Sequence, residues 1–233
     1  MSRTRMTSVS LLVPALAFLA SGPALAGDIV GKVKYAGTAP APAKIQITKD
    51  QAVCGKVSHV DESLVVGADK GVKYVVVKVA DPKDGKKMIP ARKPALDQDG
   101  CKFVPHVEIV PAGQEIDIIN SDGILHNIHS FPKNNTPFNK AQPKFKKVMP
   151  ASFEKPDVVQ IKCDVHSWMS GWIVVAEHAY YSLTDASGSF KIADVPAGSY
   201  TLETWHEKLG KQTKPVTVPA TGSVTVDLEY AAK

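Results

Sequence analysis

The chain has few cysteines, no long apolar run, and none of the short motifs that mark nucleotide or haem chemistry. No window holds the roughly 18 consecutive apolar residues that a membrane-spanning helix needs. Cys-x-x-Cys-His does not occur, which argues against covalently attached haem. Neither G-x-x-x-x-G-K-S/T nor G-x-G-x-x-G is present, so the chain does not read as a P-loop or Rossmann enzyme. No stretch carries a 3.6-residue apolar pattern of helical length, and no aromatic-interleaved basic run marks a nucleic-acid surface. No general base, activated nucleophile or second metal cluster stands out, so no enzyme is expected. What remains is ordinary for a globular protein: 233 residues, 44% hydrophobic, with 28 Lys+Arg against 23 Asp+Glu. Seventeen prolines, sixteen glycines and many Val and Thr residues favour β structure.

The N-terminus reads as a processing signal rather than part of the fold. Arg3 and Arg5 precede the apolar run Leu11–Ala20, and Ser21-Gly22-Pro23 leads into Ala24-Leu25-Ala26, an A-x-A cleavage signal. A buried helix is a poor alternative, because Pro14 and Pro23 would break it. Residues 1–26 are therefore expected to be a cleavable leader and the mature chain to be exported to a periplasm. In an oxidising compartment an odd cysteine count leaves one thiol over. Cys54-Gly55 and Asp99-Gly100-Cys101 are turn settings that suit a bridge between Cys54 and Cys101. Such a bridge would contribute roughly 4 kcal/mol in the chain-entropy model. Cys163, with His166 and Met169 close behind it, is the expected free thiol.

Period-two patterning predicts strands over Asp28–Tyr35, Val72–Val79, Phe103–Val110, Glu115–Asn120, Asp157–Cys163 and Gly171–Ala176. In Asp157–Cys163 the alternation puts Val159, Ile161 and Cys163 on one face and Val158, Gln160 and Lys162 on the other. A composition shift near Glu177-His178 divides a larger module, 27–176, from a smaller one, 177–233. The smaller module reads as strands over Phe190–Ile192, Tyr200–His206, Pro215–Val218 and Ser223–Tyr230. Alone it is marginal in size, so it packs on the first module or recruits the N-terminal strand.

The segment Cys163-Asp164-Val165-His166-Ser167-Trp168-Met169, with Leu125-His126-Asn127-Ile128-His129 upstream, gathers a thiolate, two imidazoles and a thioether. These soft-to-borderline donors suit copper, in a His₂Cys arrangement with a weak Met; zinc seldom uses Met. His129 is an alternative to His126. His59, His106, His178 and His206 are read as structural, with approach to the site, from between Trp205 and Glu207, the alternative for His206.

From Val110-Pro111-Ala112-Gly113-Gln114-Glu115-Ile116 through Asn120-Ser121-Asp122 and His126-Asn127 to the short Cys-x-x-His-x-x-Met loop, the chain resembles the cupredoxins, amicyanin in particular. The resemblance spans roughly residues 72–176, though the loop lacks the prolines often found there. It implies copper held by His126, Cys163, His166 and Met169, with Asn127 as a brace. A second resemblance, to transthyretin-like or carboxypeptidase-regulatory-like modules, rests on Thr184-Asp185-Ala186-Ser187-Gly188-Ser189-Phe190, on Val195-Pro196-Ala197-Gly198-Ser199-Tyr200-Thr201-Leu202 and on Gly31-Lys32-Val33. It implies a non-catalytic module with the cupredoxin inserted in it.

The expected fold is thus all-β: a Greek-key β-sandwich of cupredoxin type plus a small transthyretin-like β-sandwich. The expected function is electron transfer at one type 1 copper per chain, with His166 as the electron port and a cytochrome or periplasmic oxidoreductase as partner. Lys133, Lys140, Lys144, Lys146, Lys147, Lys155 and Lys162 would steer an acidic partner. Trp168 and Trp172 would flank the site. Alternatives are a copper chaperone or resistance protein, and the redox domain of a copper oxidoreductase system.

Overall fold

Successive strand residues face opposite sides, and here the inward-facing sets sort into two separate apolar cores. The computed structural model describes residues 25–232. The expected leader therefore lies outside the described residues, apart from the exposed Leu25 and Ala26, where the first strand begins. β1 (Ala26–Ala36) and a one-turn helix α1 (Gln51–Cys54) open the chain. There follow β2 (Val76–Ala80), β3 (Ala95–Gln98), β4 (Phe103–Val104), β5 (Val107–Pro111), β6 (Ile116–Asn120) and β7 (His126–Phe131). Next come β8 (Asn139–Gln142), β9 (Val148–Ala151), β10 (Asp157–Lys162), β11 (Ser170–Ala176) and β12 (Tyr181–Leu183). β13 (Ser189–Pro196), β14 (Gly198–His206), β15 (Gly210–Val218), β16 (Ser223–Thr225) and β17 (Leu228–Ala231) close it.

One sandwich is made of the sheets β4-β3-β6-β9 and β5-β11-β10-β7-β8. Leu96, Phe103, Ile116, Ile118, Ile128, Val159, Ile161 and Ile173 fill it, and Cys163 and Met169 belong to the same cluster. The other is made of β13-β1-β16, with β17 also on β1, and β12-β2-β14-β15. It encloses Ile29, Val33, Val77, Val79, Phe190, Ile192, Leu202 and Tyr230. The protein is all-β, built of β-sandwiches. β1 pairs antiparallel with β13 and parallel with β16 and β17. The approach is so close at Gly31 that a Cβ there would lie 2.0 Å from the Val226 carbonyl oxygen. β2, on the larger module's side of the expected boundary at residue 176, hydrogen-bonds to β12 and β14.

Three expected strands start late or divide, each for a local reason, while Phe190–Ile192 and Pro215–Val218 extend to the longer β13 and β15. Val72–Val79 becomes regular only at Val76, because Tyr74 takes a left-handed backbone, φ 67°. Phe103–Val110 divides at Pro105, which has no N–H to give a ladder. Ser223–Tyr230 divides into β16 and β17, yet Val226, Leu228 and Tyr230 remain buried while Thr225, Asp227 and Glu229 are exposed.

The sandwiches meet through a third, mixed cluster containing Tyr74, Val76, Val107 and Val174. The Trp172 and Trp205 rings cross edge-on there at 4.9 Å, and His106 pairs with Glu207. Trp172 thus faces the second sandwich and does not flank the thiol site.

Candidate metal centre

Cys163 follows directly on β10 and stays on the inward face set by Val159 and Ile161, only 2% exposed. The strand is turned by a tight loop. The Met169 amide donates to the His166 carbonyl (2.9 Å), and the Cys163 amide donates to the Met169 carbonyl (3.3 Å). β10 pairs antiparallel with β7, with Lys162 opposite His129, so His126 at the start of β7 arrives at the same end of the sheet. Asn127 secures the loop: its Oδ1 accepts from the Asp164 amide at 2.6 Å and the Val165 amide at 3.3 Å.

These elements bring three donors to one point. His126 Nδ1 lies 3.9 Å and His166 Nδ1 3.8 Å from Cys163 Sγ, and the two Nδ1 atoms are 3.0 Å apart. Both imidazoles are fully buried, and Met169, 2% exposed, packs in the same buried cluster as Cys163. The far edge of each ring meets a carboxylate: His126 Nε2 and Asp122 Oδ2 are 2.8 Å apart, as are His166 Nε2 and Asp50 Oδ2. An ionised carboxylate can only accept, so each Nε2 carries a proton, and each Nδ1 faces inward, toward the thiol and the other ring. Two lone pairs 3.0 Å apart beside a sulfur repel unless a proton or a metal cation lies between them. This donor set fits copper.

The electrostatics follow the same layout. Burial pushes His126 down, but Asp122 and Cys163 outweigh it and raise the imidazole to about 9. Burial pushes the Cys163 thiol up, yet His126 and the backbone amides of Asn127, His166 and Val165 bring it below its ordinary value. Asp122 is also held below the usual carboxylate range: the desolvation that raises it is exceeded by His126 and the amides of Cys101 and Gly100. His166 is lowered, first by burial, then by the His126 charge, against the opposing pull of Asp50.

Of the residues expected at the site, His126, Cys163 and His166 converge, and Met169 closes the loop. His129 points elsewhere, its Nδ1 3.1 Å from the Asp164 carboxylate. His206 lies in the second sandwich, where its Nδ1 accepts from the amides of Lys208 and Leu209. His166, expected as the electron port, is completely buried, and Asp50 covers its outer edge. The half-buried Trp168, its ring 5.2 Å from that of His166, takes the outer position. The bridge between Cys54 and Cys101 is present, and Cys163 is free. Asp50 was not readable as part of the site, since no motif links it to a histidine 116 residues away. Asp122 stood only as a member of Asn120-Ser121-Asp122.

A family model, domain II of polysaccharide lyase family 4, matches residues 157–226. No curated protein matches the chain. Among solved structures, part of the chain is similar to a copper-containing nitrite reductase from Thermus scotoductus SA-01, at 22% identity and TM-score 0.34. That likeness covers 43% of this chain and only 25% of the reductase. A purple cupredoxin from Nitrosopumilus maritimus is 21% identical with TM-score 0.32, covering 36% of this chain and 100% of that one. A point mutant of amicyanin in its Cu(I) form is 15% identical with TM-score 0.33, covering 43% of this chain and 98% of that one.

Proposed function

We propose that the chain is an exported, non-catalytic copper protein that passes single electrons between partner proteins. The observation that carries this reading is the convergence of His126 Nδ1, His166 Nδ1 and Cys163 Sγ, with both Nε2 atoms engaged by carboxylates. His126, Cys163 and His166 would hold one copper ion, with the Met169 thioether as the soft fourth donor. Copper bound there would supply a one-electron Cu(II)/Cu(I) couple. The chain's own part is to keep the donors in one arrangement through both oxidation states: two ring edges are tied to Asp50 and Asp122, and the loop is tied to Asn127. Burial keeps water from the donors, which also disfavours the chaperone alternative, since rapid exchange calls for exposed ligands. The second sandwich serves as a structural module of transthyretin-like type.

All seven lysines between Lys133 and Lys162 that precede the ligand loop are exposed. They favour an acidic redox partner, a cytochrome or periplasmic oxidoreductase, with association rates raised by up to ~10³ at low salt. Among the described residues no helix is long and apolar enough to cross a membrane, and the leader supports export.

Titration of the mature protein with copper, followed by visible absorption and EPR, tests the reading. An intense thiolate-to-copper band saturating at one copper per chain, absent in Cys163→Ser, is expected. A colourless protein that exchanges Cu(I) freely would shift the reading to copper handling.

A further inference from the structure

The two carboxylates behind the histidines come from distant parts of the chain, and a single covalent bond joins the segments that carry them. Asp50 stands at the head of α1 with a left-handed backbone, φ 49°. Its carbonyl accepts from the amides of Val53 and Cys54, both at 2.9 Å, while its carboxylate makes no bond to the helix and reaches His166 instead. Cys54, the last residue of that turn, is bridged to Cys101. Gly100 and Cys101 both take left-handed backbones, φ 59° and 54°. Consecutive residues of this kind aim their amides at one anion. Gly100 N donates to Asp122 Oδ1 at 2.7 Å and Cys101 N to Asp122 Oδ2 at 2.9 Å. Asp122 Oδ2 then holds His126. The Cys101 sulfur, an Asp122 oxygen and a His126 ring nitrogen all lie within 4.8 Å of one another. From the same turn the Cys101 carbonyl accepts from Trp168 Nε1 of the ligand loop at 3.1 Å.

We propose, resting on the copper reading above, that Asp50 and Asp122 are positioning residues for the two imidazoles and that the Cys54–Cys101 disulfide holds them as one clamp. The dependence on the disulfide follows from where Asp50 sits. Between β1 and β2 the chain has only the one-turn helix and isolated bridges such as Lys44 to Val60 and Val66 to Val72. No ladder of sheet hydrogen bonds fixes this segment against the ligand loop. The Asp50 carboxylate is itself 40% exposed, so solvent competes for it unless its backbone is anchored. Anchored, it keeps His166 Nδ1 turned to Cys163 before any metal arrives and closes the His166 edge to solvent. Carboxylates of this kind, hydrogen-bonded to a ligand imidazole, fix its tautomer and ring orientation.

The test uses the full mature chain and copper as the probe. Asp50→Asn and Asp50→Gly both tolerate the left-handed backbone, so neither strains the turn. Cu(I) affinity is read by competition with a chromophoric chelator, and Cu(II) EPR reports the site's symmetry. Long-range ¹H–¹⁵N NMR of the metal-free protein reads the His166 tautomer. Expected are about a 10–100-fold loss of affinity for Asp50→Gly, a smaller loss for Asp50→Asn, an altered EPR spectrum, and a metal-free melting temperature close to wild type. The double variant Cys54→Ala/Cys101→Ala should lose affinity at least as strongly while keeping the Cys163 thiol. In the NMR arm, His166 is a single Nε2–H tautomer in wild type and a mixture in Asp50→Gly. Wild-type affinity together with a wild-type His166 tautomer in Asp50→Gly overturns the clamp and leaves the copper reading intact. A wild-type chain that takes no copper, with His166 still dependent on Asp50, overturns the copper reading and leaves the positioning role standing.

Discussion

Two buried histidines, one in each sandwich, behave in opposite ways. His126 is fully buried and His206 is 1% exposed, so both rings have left water. His206 is lowered to about 4, first by desolvation, with only a partial counter-pull from Glu207. Its Nδ1 accepts from two turn amides and fixes the β14–β15 connection. His126 also loses its hydration but is raised to about 9 by Asp122 and Cys163. Burial alone makes an imidazole a neutral structural acceptor. Burial with a carboxylate at one nitrogen and a thiol at the other makes it a charged partner or a metal ligand. The first sandwich has polar groups built into its centre, among them Gln98, Asn120 and Gln142, and Gln98 Nε2 donates to Gln142 Oε1 at 2.6 Å. The second is filled mainly by Val, Ile, Leu and Tyr.

Substitutions should separate the two regions. The largest effect is expected from Cys163→Ser, which should abolish the thiolate-to-copper band outright while leaving the second sandwich folded, as near-UV circular dichroism would show. Leu202→Ala removes a completely buried side chain from the second core. It should cost about 2–5 kcal/mol in chemical denaturation, with copper absorption unchanged; a lost band would mean that the sandwiches are not separable. Next in size is the pH response of His206. Its folded value of about 4 lies below the ordinary 6.5, so the unfolded chain binds more protons between those limits. Stability should therefore fall as pH drops from 6.5 to 4, by about 3 kcal/mol, and denaturant midpoints of His206→Gln should lack that component. The smallest effect belongs to the surface: Lys93 contacts Glu115 and Asp117 at 2.8 and 2.6 Å but is half exposed. Lys93→Ala should change stability by less than about 1 kcal/mol, and a loss of several would show an ion pair far better shielded than its exposure implies.

Most of the second sandwich was legible, because its strands keep one wet and one dry face. Residues 223–230 alternate even across a break in hydrogen bonding. The ligand strand was legible for the same reason, with Val159, Ile161 and Cys163 all inward. β7 was not, because it buries His126, Asn127, Ile128 and Ser130 in polar bonds as well as apolar contacts, and so reads as a loop. β8 was missed because three of its four residues are exposed, and β3 and β9 because four residues give too little periodicity. At the candidate site, the meeting of Cys163 with His166 was legible because both fall in one seven-residue stretch, Cys163 to Met169, and that with His126 because the His-Asn pair follows the strand ending at Asn120. Asp50 was not, because its place at His166 depends on a disulfide and a left-handed turn that leave no local pattern. The Asp50 cover over His166 was hidden for that same reason.

Copper K-edge X-ray absorption on protein loaded with one equivalent, in both oxidation states, tests the site most directly. Two imidazole nitrogens and one short sulfur, nearly unchanged between Cu(II) and Cu(I), are expected. A shell of nitrogen and oxygen alone, or a sulfur lost on reduction, would contradict a buried thiolate and two histidines holding one ion for electron transfer.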